Sequence, residues 1–271
     1  MPFKYHGEIK YFTFDRLNTH NLCHGVFSRH GGVSLPPYAT LNIGGSNGDR
    51  TEDVLENRRR LFESLTLDRC NYFDVWQVHS NRVIRTDFAR RQGDHQEQAD
   101  AIITSSPGLS LLMRFGDCVP IMLFDPAKNV IGIVHAGWIG TLKRVCENTV
   151  SKMTRQFLCN AEDIIACIGP SIAVDHYEVG EEVLLQFEEQ FGTAARDFFV
   201  IPQRGKPHLD LWCANEYQLR RAGVSKIENS EICTACNYED WFSHRQENGK
   251  TGRFGAIISL QETSNTYGNQ S

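Results

Sequence analysis

Three side chains in this sequence have the residue types needed for metal chemistry: His79, Cys118 and His135. Each lies where a short apolar stretch ends and the chain is expected to turn. Two imidazoles and one thiolate form a borderline-soft donor set that suits zinc, and three protein ligands leave the fourth tetrahedral position open, as in catalytic zinc sites. The chain contains neither H-E-x-x-H nor the H-x-E and P-C-x-x-C pair of nucleobase deaminases. The metal hypothesis therefore depends on whether the fold brings the three side chains together.

The same residues leave other chemistries open. Cys118 and His135 could serve as the nucleophile and the base of a metal-free cysteine hydrolase or amidase. A cysteine with histidines could also bind copper, as in a polyphenol oxidase, but the ten histidines include no His-x-His pair. A third alternative is a non-enzymatic binding domain that a structural zinc stabilises.

The cysteines bear on the compartment and on one further motif. Cys233 and Cys236 match C-x-x-C, but they lack a second pair and the βαβ context of a redox protein. We therefore interpret them as two core cysteines near the end of a strand. The nine cysteines are odd in number and mostly scattered, which favours a reducing compartment over a disulfide scaffold. We expect a cytoplasmic protein.

Cationic and glycine-containing segments indicate where an anion would bind. Arg29, Arg245 and Arg253 lie near glycine turns or the last predicted strand, and guanidinium groups are good phosphate ligands. After His135 the sequence predicts a glycine turn and then a helix with Thr141 as its cap. The backbone N–H groups of Gly140 and Thr141 are therefore predicted to form an anion site beside His135.

Apolar periodicity predicts the elements that must position these groups. A helix is predicted to begin at Thr51, with Thr51 as its cap, and a strand-like run from Phe73 is predicted to end at His79. Mixed strands and helices along the chain indicate an α/β or α+β fold. The other predicted strands cover residues 109–115, 119–124, 129–134, 164–168 and 254–260, and the other predicted helices cover residues 142–157, 181–191 and 211–221.

Composition limits the function classes. With 271 residues, of which 41% are hydrophobic and 23% charged, the chain is typical of a globular protein. A formal charge of −5 argues against a general binder of nucleic acid or of anionic membranes. No apolar run is long enough to span a membrane, and the N-terminus does not resemble a signal peptide. Residues 1–261 are predicted to form a single catalytic domain, followed by a flexible tail over residues 262–271.

Several short motifs occur in the order that is found in one known family. They include Gln77-Val78-His79, Asp117-Cys118-Val119-Pro120, His135-Ala136-Gly137-Trp138, Ile168-Gly169-Pro170-Ser171 and Phe242-Ser243-His244-Arg245, with Ser28-Arg29-His30-Gly31-Gly32 and Leu41-Asn42 before them. In these motifs the chain resembles the purine nucleoside phosphorylase family that was formerly labelled the multicopper polyphenol oxidase, or laccase-domain, family. The resemblance extends over nearly the whole chain, from about residue 23 to residue 260.

The resemblance implies a fold, a cofactor and an activity. The fold would be α+β, with two packed mixed β-sheets flanked by helices in a single domain. Zinc would be bound by His79, Cys118 and His135. The activity would be phosphorolysis of adenosine, inosine and methylthioadenosine, together with adenosine deamination, so that the partners are purine nucleosides and phosphate. The candidate catalytic residues are His79, Cys118, His135 and Asp117, with Asp100 as a second candidate for proton transfer, and the candidate substrate and phosphate contacts are Arg29, Asn42, Gly140, Thr141, Arg245 and Arg253.

Three positions differ from the usual family pattern. Gly116 stands where the family usually has Ala, Ile139 where it usually has Arg, and His244 where it often has Tyr. The expected metal ligands are unchanged. The absence of an arginine at position 139 removes a cation beside the predicted helix start, so we expect altered phosphate affinity or substrate preference, with His244 as a partial substitute donor.

Overall fold

The computed structural model describes residues 2–91 and 93–261, so the tail predicted for residues 262–271 lies outside the described residues. The strands are, in chain order, β1 (Phe3–His6), β2 (Ile9–Phe12), β3 (Leu22–Phe27), β4 (Tyr72–Phe73), β5 (Val83–Arg85), β6 (Ala101–Thr104), β7 (Ser110–Phe115), β8 (Val119–Asp125), β9 (Val130–Ala136), β10 (Ile165–Ile168), β11 (Phe199–Val200), β12 (His208–Leu209), β13 (Lys226–Asn229) and β14 (Phe254–Leu260). The helices are α1 (Asp15–Asn18), α2 (Thr51–Ser64), α3 (Trp138–Leu142), α4 (Val145–Phe157), α5 (Glu181–Phe191) and α6 (Leu211–Arg221), with short 3₁₀ segments at Ala161–Asp163, Val174–His176 and Gly192–Phe198. None of the helices in this part of the chain is long and apolar enough to cross a membrane.

The strands form two six-stranded mixed sheets. The first sheet has the spatial order β1-β2-β3-β14-β7-β4, and the second has the order β13-β10-β8-β9-β6-β5. Most neighbours are antiparallel, but β4 runs parallel to β7, β5 to β6 and β13 to β10. A small pair, β11-β12, lies apart. The predicted α+β class and the two mixed sheets flanked by helices are therefore confirmed.

Apolar side chains from both sheets meet in one core. Phe115 and Phe254 from the first sheet belong to the same buried cluster as Met122 and Ile133 from the second. The strands that supply this cluster are buried along nearly their whole length, which explains why they read as continuous apolar runs in the sequence. Each such side chain contributes roughly 1.5–3 kcal/mol when it is fully buried.

Helices cover the outer faces of the two sheets. Helix α2 packs on the first sheet through Leu61 and Phe62. Helix α4 packs on β5, β6 and β9 of the second sheet, and Phe187 of α5 and Leu219 of α6 belong to the same buried cluster. The order of layers is therefore helix, sheet, sheet, helices.

The segment that joins β7 to β8 crosses from one sheet to the other. Strand β7 lies in the first sheet and β8 in the second, so residues 116–118 turn at the edge where the two sheets meet. In the second sheet Pro120 of β8 lies opposite His135 of β9, and Val134 lies opposite Ala101 of β6. Cys118, His135 and Asp100 are thereby brought to the same end of the sheet.

The predicted start of α2 at Thr51 is confirmed, but two other details of the predicted helices are wrong. Thr51 is the first residue of α2 rather than its cap, and Arg50 stands at the cap without a side-chain hydrogen bond. The predicted helix 142–157 begins later, at Val145, because Arg144 has a left-handed backbone with φ of 61°. Thr141 lies inside the separate short helix α3, so it is not a cap.

The strand-like run predicted to end at His79 is also wrong. Strand β4 ends at Phe73, and His79 has a left-handed φ of 56°. Trp76 forms a single parallel β-bridge with Gln98, whereas the backbone N–H of His79 donates to the carboxylate of Asp100. At His79 a buried side chain has replaced a neighbouring strand as the hydrogen-bond partner.

Candidate metal centre

The structure brings His79, Cys118 and His135 together. One ligand atom from each lies within 4.8 Å of the ligand atoms of the other two. Sγ of Cys118 is 3.8 Å from Nε2 of His79, and the two imidazole rings are 5.0 Å apart between centroids. A tetrahedral zinc ion separates sulfur and nitrogen ligands by about 3.5–3.6 Å, given Zn–S of about 2.3 Å and Zn–N of about 2.0–2.1 Å. The donor set and its spacing fit a metal ion.

Asp100 holds two of these residues in place. Its carboxylate is buried, with 0% exposure, and accepts a hydrogen bond of 2.8 Å from Nδ1 of His135. It also accepts the backbone N–H groups of Val78, His79 and Ser80 and the hydroxyl of Ser80. Because Nδ1 of His135 donates to Asp100, Nε2 is the ring nitrogen left for a metal, as in the carboxylate–histidine–metal arrangements of known sites.

Gly137 gives the cluster its space. A Cβ at this position would lie 2.8 Å from Sγ of Cys118 and 2.9 Å from Cδ2 of His79. Both distances are shorter than side chains tolerate, and the backbone of Gly137 has an ordinary extended φ of −76°. The glycine is therefore required by the close approach of the metal-type ligands and not by its own backbone conformation.

The electrostatics of the cluster favour a charged thiolate. Burial raises the pKa of Cys118, but the charge and hydrogen bonds of His135 and the hydrogen bond with His79 outweigh burial and lower this pKa to about 6. Burial lowers the pKa of His135, whereas the neighbouring Cys118 and Asp100 raise it to about 9. The thiolate is the form of cysteine that binds metals and attacks electrophiles.

The cluster lies in a cavity of about 620 Å³, a volume suited to a small-molecule ligand. The lining contains arginines and an indole but no carboxylate. Trp76 is 46% exposed, which leaves a large aromatic face open to this space. The lining residues are Gly44, Gly45, Ser46, Arg58, Trp76, Gln77, His79, Gln96, Arg114, Gly116, Cys118, His135, His244 and Arg253.

Two of the three lining arginines have no ion-pair partner within the described residues. Arg58 donates to the carbonyl of Ile43, and Arg253 donates to the carbonyls of Thr251 and Gly252. Burial lowers the pKa of Arg253 despite the nearby Cys118 and Asp117. These two guanidinium groups are the cavity's available anion ligands, whereas Arg114 lies 3.3 Å from the carboxylate of Asp74.

The predicted phosphate contacts divide between the cavity and other positions. Arg253 lines the cavity, but the other two predicted arginines do not. Arg29 donates to the carbonyls of Ala39 and Tyr238 and pairs with Glu247 at 3.1 Å. Arg245 donates to the carbonyls of His176 and Glu178. The hydrogen bonds of both side chains hold loops together, and neither side chain is available to a ligand in the cavity.

The predicted anion site at Gly140 and Thr141 is likewise not on the cavity wall. The N–H of Thr141 donates to the carbonyl of Gly137, and its hydroxyl accepts a 3.0 Å hydrogen bond from Asn215. Gly140 is buried inside α3. The N–H of Thr141 is therefore used inside α3, which begins earlier than the sequence indicated, and the anion site predicted at Gly140 stays a prediction.

Asn42 lies behind the cavity wall. Its side-chain oxygen accepts the backbone N–H groups of Gly44 and Arg253, and its amide donates to Asp49. Asn42 is buried with 0% exposure, so it positions two lining residues and does not reach the cavity itself.

Asp117 also has its hydrogen bonds directed into the protein. Its carboxylate accepts a hydrogen bond of 2.7 Å from the hydroxyl of Thr234 and one of 2.6 Å from the backbone N–H of Arg245. Its backbone has a left-handed φ of 84°. Asp117 thus fixes the turn before Cys118, and its predicted catalytic role stays a prediction.

The three departures from the family pattern have different surroundings. Gly116 and His244 line the cavity, whereas Ile139 does not. A Cβ at Gly116 would lie 3.1 Å from Cδ of Arg253, so the glycine gives that arginine room. His244 approaches the guanidinium of Arg253 at 3.5 Å, and burial together with that cation lowers the pKa of His244.

Several lining residues were missed by sequence reasoning. The clearest is Arg58, which the helical periodicity places on the same face of α2 as buried apolar residues. A charged residue on a core-facing helix position is unusual and could have marked it as functional. Trp76 carried no comparable signal.

Comparisons with known proteins place the chain in a family and match its fold. Residues 23–261 match the family model described as "Multi-copper polyphenol oxidoreductase laccase". A Bacteroides thetaiotaomicron protein named purine nucleoside phosphorylase is 34% identical, over 89% of this chain and 93% of that protein. A Deinococcus radiodurans protein of the same name is 38% identical, over 88% of both chains. The crystal structure of YlmD from Geobacillus stearothermophilus superposes with a TM-score of 0.89 at 30% identity, covering 96% of this chain and 99% of that one.

Proposed function

Because the chain belongs to the multi-copper polyphenol oxidoreductase laccase family and two of its close relatives are named purine nucleoside phosphorylases, we propose that it is a purine nucleoside phosphorylase. It would cleave adenosine, inosine and methylthioadenosine with phosphate to give the free base and the corresponding ribose 1-phosphate. We further propose that it deaminates adenosine. The observation that carries the proposal is that one cavity brings together three side chains able to hold a metal, two arginines and an exposed indole. Within the described residues neither arginine has a carboxylate partner.

The metal we propose is zinc, bound by His79, Cys118 and His135. Two imidazoles and a thiolate suit zinc, and the three ligands leave one position for a substrate oxygen or a water. A bound zinc ion would supply Lewis acidity to that group. Copper remains the weaker alternative, because this cluster offers only two histidines and multicopper sites need many more.

Arg253 and Arg58 are proposed to bind phosphate. Both line the cavity, and neither is neutralised by a carboxylate within the described residues. A guanidinium group can hold two phosphate oxygens at once and so fix the orientation of the nucleophile.

Trp76 is proposed to stack on the purine. Its exposed indole belongs to the same cavity as the arginines, so one nucleoside could contact both. His244 is the titratable lining residue outside the metal cluster and the arginines. Its lowered pKa keeps the imidazole neutral near pH 7, a form that can accept a proton in the deaminase reaction.

The test is a nucleoside assay with purified protein. Inosine should give hypoxanthine only when phosphate is present, and methylthioadenosine should behave in the same way. Adenosine should give adenine with phosphate and inosine without it. Release of base from inosine at the same rate without phosphate would show a hydrolase and contradict phosphorolysis.

One observation supports a second candidate function. The lowered pKa of Cys118 beside the imidazole of His135 is the arrangement of a cysteine nucleophile with its base, as in a metal-free cysteine hydrolase or amidase. Stoichiometric alkylation of Cys118 in protein as isolated, without displacement of zinc, would favour this alternative. Protection of Cys118 by bound zinc would favour the phosphorylase.

A further inference from the structure

A second group of metal-type side chains lies outside the cavity: Asp175, His176, Cys233 and Cys236. One ligand atom from each lies within 4.8 Å of the ligand atoms of the other three. The interpretation of the cysteines as two core residues is wrong for Cys236, which is exposed, while Cys233 is buried. We propose that these four side chains bind a zinc ion at a second site.

The distances suit one tetrahedral ion. Sγ of Cys236 is 3.5 Å from Nδ1 of His176, and Sγ of Cys233 is 3.9 Å from the same nitrogen. The carboxylate of Asp175 lies 3.1 Å from that nitrogen and 4.0 Å from Sγ of Cys236. Zinc with Zn–S of about 2.3 Å and Zn–N of about 2.0–2.1 Å separates its ligands by about 3.3–3.8 Å. Small rotations of exposed side chains are enough to reach this geometry.

The backbone around Cys233 is arranged as in metal–thiolate turns. Its Sγ accepts the N–H groups of Ala173 and Cys236, each at 3.4 Å. The N–H and the side-chain amide of Asn237 both donate to the carbonyl of Cys233, which folds Cys236 back over Cys233. Hydrogen bonds of this kind orient a ligand and stabilise its negative charge. The turn therefore orients Cys233 and Cys236 toward the same side.

The ligand chemistry selects the kind of ion. Two thiolates and an imidazole favour zinc over magnesium or calcium, which prefer oxygen ligands. The set has four protein ligands, whereas the triad at His79, Cys118 and His135 has three. Four-ligand zinc sites are closed and structural, and three-ligand sites keep a position for substrate. The second site is therefore structural.

The position of the site indicates what it stabilises. Thr234, between the two cysteines, donates to the carboxylate of Asp117, the residue before Cys118. The same carboxylate accepts the backbone N–H of Arg245, which is adjacent to the cavity residue His244. An ion at the second site would hold the segment from Cys233 to Arg245 against the turn that carries Cys118.

The test uses the full chain with Cys118→Ala, which removes the only thiolate of the triad. After equilibration with zinc and passage over a chelating resin, this variant should retain about one zinc per chain. Cobalt in place of zinc should give a thiolate-to-metal charge-transfer band with the intensity of two thiolates. The proposal would be overturned if the Cys118→Ala variant retained no zinc and showed no such band with cobalt.

A matched pair of second substitutions locates the ion. Cys236→Ser in the Cys118→Ala background should weaken zinc binding by more than about 100-fold, since even the loss of an outer hydrogen-bond partner can cost 10–100-fold. Cys70→Ser changes another exposed cysteine, one outside the group, and should leave zinc binding unchanged. Equal zinc content in the two double variants would contradict the assignment.

A measurement without substitutions guards against variants that misfold. In the unaltered protein, zinc should protect Cys236 from alkylation, and chelation should expose it, as read by mass spectrometry of the peptide that contains residue 236. Equal alkylation with and without zinc would contradict the proposal. A disulfide between Cys233 and Cys236 in protein purified with reductant would do so as well. Because these readouts do not involve nucleosides, they are independent of the proposed phosphorylase activity.

Discussion

The carboxylate of Asp100 lies 2.8 Å from Nδ1 of His135, and it is fully buried. The same carboxylate accepts the backbone N–H of His79, so one side chain sets the orientation of two candidate metal ligands. Asp100 contributes no atom to the cavity lining. It acts on the chemistry through the ligands that it positions.

Replacing Asp100 with asparagine should weaken the metal site. An amide offers one acceptor oxygen where the carboxylate accepts five hydrogen bonds, so the loop at His79 and the ring of His135 lose support. We expect metal affinity to fall by roughly 10–100-fold, measured by competition with a chelator, and kcat/KM to fall with it.

Asp125→Asn is the control for that substitution. Asp125 is another fully buried carboxylate, which accepts the N–H groups of Ala127 and Lys128 away from the cavity. Asp125→Asn keeps the oxygen that accepts both N–H groups, so it should change the unfolding free energy by no more than about 1 kcal/mol and leave metal affinity unchanged. If Asp100→Asn also lowered only stability, the positioning role would be wrong.

Gly137→Ala should disrupt the same cluster from the other side. The new methyl group would lie 2.8 Å from Sγ of Cys118, and the strands β8, which begins just after Cys118, and β9, which carries His135, are buried along their whole length. We expect at least about a tenfold loss of metal affinity, with far-ultraviolet circular dichroism unchanged. Metal content after dialysis measures the effect.

Gly140→Ala is the matched substitution three residues later in the chain. A Cβ there would have its nearest contact at 3.3 Å, and alanine favours the helical backbone of α3. Normal metal binding is expected. Equal losses in the two variants would mean that the segment, rather than the contact with Cys118, determines the effect.

The parts of the fold and site that were predicted correctly depend on local pattern. Strands β8 and β9 are long apolar runs close together in sequence, so their pairing brings Cys118 to His135. The helix at 181–191 and the cap at Asp210 also follow from local rules, and the structure has both.

The parts that were missed depend on contacts distant in sequence. Nothing near Thr141 signals the left-handed residue at Arg144 that splits the helix. Arg245 and Arg253 look alike in sequence, but Arg245 is taken up by the carbonyls of His176 and Glu178. The pairing of Cys233 and Cys236 with Asp175 and His176 likewise requires the bridge between Ser171 and Cys233, which no local pattern specifies.

Arg253→Ala should raise the KM for phosphate in inosine phosphorolysis. Loss of a charge-assisted contact worth about 1.5–3 kcal/mol corresponds to a rise of roughly 10–100-fold. Arg253→Lys should fall between the alanine variant and the unaltered protein, since lysine keeps the charge but not the fork geometry. Initial rates at varied phosphate and fixed inosine measure the change.

Arg245→Ala distinguishes the structure from the sequence prediction. Arg245 was predicted to contact phosphate, but its guanidinium binds backbone carbonyls outside the cavity lining. Its substitution should leave the KM for phosphate within about twofold of normal while lowering stability slightly. A large rise in KM for Arg245→Ala and none for Arg253→Ala would place phosphate elsewhere.

His24 should make stability depend on pH independently of the cavity. The ring is buried in β3, and its Nε2 accepts the backbone N–H of Phe14 at 2.8 Å, which the neutral ring can do. Burial and the nearby charge of Lys4 lower its pKa from 6.5 to about 3. Between these two pKa values the folded state therefore binds fewer protons than the unfolded state, so the free energy of unfolding rises with pH across that window. The stability that the neutral His24 contributes is complete above about pH 6.5 and decreases as the pH falls below that value.

The measurement is urea unfolding at a series of pH values for the unaltered protein and for His24→Gln. Between about pH 7 and about pH 5, titration of His24 should remove about 2 kcal/mol of stability. Glutamine keeps an acceptor for the N–H of Phe14 and cannot be protonated in this range, so His24→Gln should lose about 2 kcal/mol less over the same interval. His6→Gln, at an exposed position in β1, should keep the slope of the unaltered protein. If His24→Gln and His6→Gln had the same pH dependence, the buried neutral imidazole would not be the source of the slope.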